Sequence, residues 1–95
     1  MRINKNGKTK VELLSSLDRI KDNLRNEITA YNVDITKIND GYNIKAEKKI
    51  VLLKFWVNSN ITAGDGYYDI IWETNAPEGK VAKAIDKIKD TLEKV

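Results

Sequence analysis

The sequence predicts an α+β domain that runs helix, four strands, helix. The strands form a four-stranded antiparallel meander, with two antiparallel helices packed on one face. Three observations lead there. Thr9 and Glu12 form a helix-start signature ahead of an apolar stripe at helical spacing. Segments 31–38 and 67–74 alternate apolar and polar residues, as half-buried strands do. Between them, 50–57 is the most apolar run in the chain and is apolar on both faces of a strand, which marks it as central.

The elements follow in order. Residues 1–8 carry Arg2, Lys5 and Lys8 with Gly7 near the end, and read as a flexible basic arm, or at most a short edge strand around Ile3. Residues 9–95 then form a single α+β domain. A helix is expected over 10–29. The Thr9 hydroxyl and Glu12 carboxylate each satisfy a free backbone N–H at its start. Leu13, Leu17, Ile20, Leu24 and Ile28 form its core-facing stripe.

In the strand that follows, Tyr31, Val33 and Ile35 share a face. An Asp40-Gly41 turn would set Asn39 opposite Tyr42, Lys37 opposite Ile44 and Ile35 opposite Ala46. A tight reversal at Lys48-Lys49 would then set Ala46 opposite Val51 and Ile44 opposite Leu53. That arrangement sends Val51, Leu53, Phe55 and Val57 to the core, and Ile50, Leu52, Lys54 and Trp56 to the opposite face. Residues 58–66 read as a long loop. The last strand, 67–74, turns Tyr68, Ile70, Trp72 and Thr74 inward. Pro77 suits the first turn of a closing helix over 78–94, whose stripe is Val81, Ile85, Ile88, Leu92 and Val95.

Composition removes whole classes of chemistry. With no Cys and no His, disulfides, thiol nucleophiles, Cys- or His-ligated metals and the commonest general base are excluded, so neither a cofactor nor a metal site is expected. Asp69 and Glu73 share a strand face about 13 Å apart, too wide for paired carboxylate catalysis. An enzyme is therefore not expected. The basic start is followed by no apolar stretch, which points away from a secretory leader and towards the cytoplasm, with no membrane partner.

The net charge of +3 is spread as a patchwork. What remains is the sheet face left bare by the helices, with Ile50, Leu52, Lys54, Trp56, Tyr67 and Ile71 as the interaction residues. The expected function is a small protein-binding or assembly module, homodimeric through that face. The alternative is a single-stranded nucleic-acid binder that stacks bases on exposed aromatics beside lysines: Lys45, Lys54, Trp56 and Tyr67.

Overall fold

The computed structural model describes residues 1–28, 31–77, 79 and 81–95. The elements run β1 (Arg2–Asn4), α1 (Lys10–Glu27), β2 (Asn32–Ile38), β3 (Gly41–Ile50), β4 (Leu53–Gly64), β5 (Tyr67–Thr74) and α2 (Ala82–Glu93). The α+β class holds, with five strands instead of four. The sheet is antiparallel throughout, in the order β1-β5-β4-β3-β2.

The fifth strand comes from the arm. Arg2, Ile3 and Asn4 pair with Asp69, Tyr68 and Tyr67, and Ile3 is buried. The Met1 amino group donates to the Ile70 carbonyl (2.7 Å), and the Ile70 N–H donates back to the Met1 carbonyl (2.8 Å). Lys5 Nζ reaches the C-terminal end of α2, donating to the carbonyls of Glu93 (2.7 Å) and Val95 (2.9 Å). A cation there satisfies carbonyls that the helix itself leaves open.

α1 begins as its capping box dictates. The Thr9 hydroxyl accepts from the Glu12 N–H, and the Glu12 carboxylate accepts from the Thr9 N–H, each at 3.2 Å. The Thr9 N–H and, at 3.1 Å, the Thr9 hydroxyl both donate to the Glu12 carboxylate and hold that carboxyl below its ordinary value. The Lys10 N–H donates to Asp65 Oδ1 (2.8 Å), which ties the start of the helix to the turn between β4 and β5. Leu13, Leu17, Leu24 and Ile28 of the stripe are buried, and Ile20 is half-buried.

α2 starts at Ala82, later than the predicted 78. Gly79 has φ 88°, a left-handed conformation outside the helix, and accepts a hydrogen bond from the Ala82 N–H. Positions 78 and 80 lie outside the described residues. Val81, Ile85, Ile88 and Leu92 are buried as the stripe requires. Leu13, Leu17 and Leu24 of α1 and Ala84, Ile88 and Leu92 of α2 share one cluster with Tyr42 and Ile44 of β3, Ile61 and Ala63 of β4, and Tyr68 and Ile70 of β5. A satellite cluster joins Val57 to Val81 and Ile85.

Both predicted hairpin registers change. The first turn is Asn39-Asp40, with Asp40 at φ 62°, so Lys37 faces Tyr42, Ile35 faces Ile44 and Val33 faces Ala46. The second reversal lies at Val51-Leu52, not Lys48-Lys49, and sets Ala46 opposite Val57, Ile44 opposite Ser59 and Tyr42 opposite Ile61. The expected loop over 58–66 is mostly strand: β4 continues to Gly64, and Asp65-Gly66 makes the turn into β5.

These shifts are of two and six residues. Both are even, so Tyr42, Ile44, Ala46 and Val57 keep the core face they were assigned. The position of Gly41 supplies the reason for the longer register. It sits opposite Thr62, so close that a Cβ would meet the Ile61 carbonyl oxygen at 1.8 Å. Only a glycine lets the strands approach there.

Two predictions follow from this packing. Gly41→Ala is expected to cost about 3 kcal/mol or more, read as a lower urea midpoint, because the obstacle is backbone that cannot step aside. The Tyr42 hydroxyl donates to the Asp18 carboxylate, which raises the Tyr42 pKa to about 12 and depresses that of Asp18. A raised phenol stabilises the fold below its ordinary pKa of 10.0, and that stability is lost as pH rises through the folded value of about 12. A depressed carboxyl stabilises above its ordinary 3.8, and its contribution is lost as pH falls through the folded value. Wild type should therefore exceed Tyr42→Phe in stability by a constant margin across neutral pH. Chemical denaturation at a series of pH values should show that margin shrinking at both extremes.

Candidate functional site: the projecting hairpin

β3 and β4 pair over ten positions, from Gly41–Thr62 to Ile50–Leu53. Their neighbours stop short. β2 ends its pairing at Asn32–Glu47, and β5 ends at Thr74–Val57. Among the described residues, no other strand pairs with 48–50 or 53–56. The hairpin therefore runs on as a two-stranded arm for about 13 Å past the Glu47–Trp56 pair. The molecule is correspondingly elongated, 46 × 21 × 21 Å.

At the far end lies an apolar tip. Val51 is 85% exposed, Leu52 89% and Leu53 64%, and Ile50 is exposed beside them. Val51 also has φ 56°. A β-branched side chain in the left-handed region costs on the order of 1–3 kcal/mol, and such strain collects where function requires it. Turn chemistry here favours Asn, Asp or Gly.

Behind the tip, one side of the arm carries Ile50, Leu53 and Phe55 with Lys48, on the face that nearer the body holds Ala46 and Val57. The other side carries Glu47, Lys49, Lys54 and Trp56. Lys49 faces Lys54 directly across the strands, and like charges so placed repel. Lys54 Nζ is 3.1 Å from the Glu47 carboxylate, and Lys48 Nζ lies 5.7 Å from the centre of the Tyr31 ring. Residues 47–56 hold three lysines against one acid.

Asn75 braces the base of the arm. Its Oδ1 accepts from the Trp56 N–H (2.8 Å) and its Nδ2 donates to the Lys54 carbonyl (2.9 Å). The side chain thus does the work of a missing strand on backbone groups that β5 no longer reaches. The Thr74 hydroxyl adds a bond to the Trp56 carbonyl (2.7 Å).

Of the six interaction residues read from the sequence, Ile50, Leu52, Lys54 and Trp56 come together on this arm. Tyr67 and Ile71 do not join them. Ile71 pairs with Asn60 and Tyr67 with Gly64, about 13 and 26 Å along β4 from Trp56. The Arg2 guanidinium lies 3.9 Å from the centre of the Tyr67 ring and bonds both Asp69 oxygens (2.9 and 3.2 Å), holding that carboxyl below its ordinary value. Ile50 also changes face: as the end of β3 it shares the side of Ile44 and Ala46, where membership of β4 would have put it opposite.

The sheet side opposite the core is more polar than expected. Its centre is Asn43, whose Nδ2 donates to the Oδ1 atoms of Asn58 (2.7 Å) and Asn60 (2.8 Å). Lys45, a candidate for nucleic acid, lies two positions from Asn43 on that side, opposite Asn58. The aromatics expected to line the core also separate. Tyr68 is buried, its hydroxyl donating to the Leu13 carbonyl (2.7 Å). Phe55 is half-buried and Trp72 is 41% exposed.

Sequence reasoning missed Val51, Leu53, Lys48, Lys49 and Asn75 as site residues. The signal was present: an apolar run with lysines on both sides, followed by a strong Asp65-Gly66 turn that measures how long the preceding strand must be. Among the described residues, no helix is long and apolar enough to cross a membrane.

Asn75→Ala should loosen the arm without unfolding the body. The Trp56 amide is expected to lose roughly 1–2 kcal/mol of hydrogen-exchange protection, while the Ile61 and Ile70 amides keep theirs. A scan against protein-family models finds no match, and searches of curated proteins and of solved structures find none either.

Proposed function

We propose that this protein is a non-enzymatic binding module that engages its partner through the end of the β3–β4 hairpin. Ile50, Val51, Leu52 and Leu53 form the contact tip, with Lys54 and Trp56 behind it. One observation carries the reading: consecutive apolar side chains are held out in solvent, through a strained turn, at a place no neighbouring strand covers. Apolar groups exposed together at a rigid projection mark interaction surfaces.

Homodimerisation through the open sheet side has less support, because a two-fold contact there would bury the amide cluster of Asn43, Asn58 and Asn60. Base stacking also has less support. Tyr67 lies beneath Arg2, and the remaining candidates, Lys45, Lys54 and Trp56, are spread along the hairpin with Glu47 beside Lys54.

The test asks whether the tip serves folding. The double variant Val51→Asn with Leu52→Gly installs a favourable two-residue turn and removes the apolar tip. It is expected to be as stable as wild type to within about 1 kcal/mol in chemical denaturation, because relief of the strained Val51 offsets the freedom that Gly adds to the unfolded chain. A loss of more than about 1 kcal/mol would mean that the tip contributes to the folded core, and the binding reading would fall.

A further inference from the structure

We infer that the partner of the hairpin tip is the surface of an anionic lipid bilayer, into which Val51, Leu52 and Leu53 dip while Lys48, Lys49 and Lys54 meet the head groups. The inference rests on the hairpin reading above and adds the occupant.

Three observations choose lipid over a second copy of this chain. The first is area. A stable protein interface needs about 800 Å² from each partner. The tip is a few side chains at the end of a two-stranded arm, whereas a bilayer accepts a convex apolar end without a complementary surface. The second is charge. Two tips placed end to end would bring together arms that each carry three lysines against Glu47, which already pairs with Lys54 at 3.1 Å, while an anionic surface attracts that net positive charge. The third is layering. The apolar tip is outermost, the lysines lie one to three positions behind it, and Trp56 lies just beyond them, at the depth where indoles favour a membrane interface. The arm, about 13 Å long past the Glu47–Trp56 pair and braced by Asn75 only as far as Lys54, lets the tip enter to the 5–10 Å typical of interfacial segments while the domain stays in water.

The measurement is co-sedimentation with phosphatidylcholine vesicles and with vesicles in which phosphatidylserine replaces a third of the lipid. It is made at low salt and again near 1 M salt, where the screening length is about 3 Å. Emission of Trp56 is followed in a Trp72→Phe background.

Wild type is expected to bind the mixed vesicles at low salt with a blue shift, and to bind pure phosphatidylcholine weakly. Lys49→Gln with Lys54→Gln should weaken binding by about twenty-five-fold, near fivefold per lysine. The Val51→Asn, Leu52→Gly variant should remove the blue shift and most of the binding while retaining its melting temperature. Absence of binding to the mixed vesicles at low salt overturns the inference, as does binding that this variant leaves unchanged.

Sedimentation velocity on the same samples separates the other occupants. A wild-type dimer that the tip variant dissociates, without vesicle binding, assigns the tip to a second copy. Salt-sensitive binding of single-stranded DNA through the same lysines, without vesicle binding, assigns it to nucleic acid. Either result overturns the lipid inference and leaves the hairpin reading standing. Loss of stability in the tip variant removes both.

Discussion

The register between β3 and β4 is the constraint on which the rest depends. Gly41 is pressed against the backbone of Ile61 and Thr62, and from that point the two strands zip outward for ten pairs. Had the strands reversed at Lys48-Lys49, β4 would have been short and the apolar run at 50–57 would have lain within the body. Pairing from Gly41 instead carries the reversal to Val51-Leu52. That gains more cross-strand hydrogen bonds and lets Asp65-Gly66 make the next turn, but it leaves an apolar, strained turn in water. The projecting arm is the direct consequence.

The body is held in several places by polar contacts that fasten ends. Arg2 and the Met1 amino group bind the first strand to β5, and Lys5 closes the last turn of α2. Asp65 receives the start of α1. Tyr42 and Tyr68 each send a hydroxyl from the sheet to α1, one to the Asp18 carboxylate and one to the Leu13 carbonyl. Such bonds satisfy groups that helix ends and buried phenols would otherwise leave open, so they specify geometry more than they add stability. The arm lacks this fastening beyond Asn75, and its tip side chains stand exposed to solvent.

Local strain and the proposed function fall at the same place. In a small domain with few kcal/mol to spare, an exposed Val at φ 56° is a local cost, set against the ten cross-strand pairs that the same register gains. In the proposed reading a further return comes at the partner's surface. The lysines behind the tip fit the same account, since they keep an exposed apolar end soluble and favour an anionic surface over self-association.

What the sequence determined by itself was much of what depends on local chemistry or on parity, though Val51, Leu53 and Trp72, read as inward, are exposed. The Thr9–Glu12 box, the stripes of both helices, the alternation of 67–74 and the core faces of Tyr42, Ile44, Ala46 and Val57 were all legible, because helical period, strand period and capping are short-range. An even register slip leaves those faces intact, so that part of the core was readable where the pairing was not; Ile3, Ile61 and Ala63, buried here, lie where the sequence reads as arm and loop. Only the tertiary structure decided which residues became the tip. That choice turned on the close approach of Gly41 to a carbonyl twenty residues away, and on where β2 and β5 stop. Both are long-range packing outcomes that no window of neighbouring residues encodes. The same long-range pairing placed Tyr67 and Ile71 far from Trp56, and drew Arg2 and Ile3 into the sheet as its fifth strand.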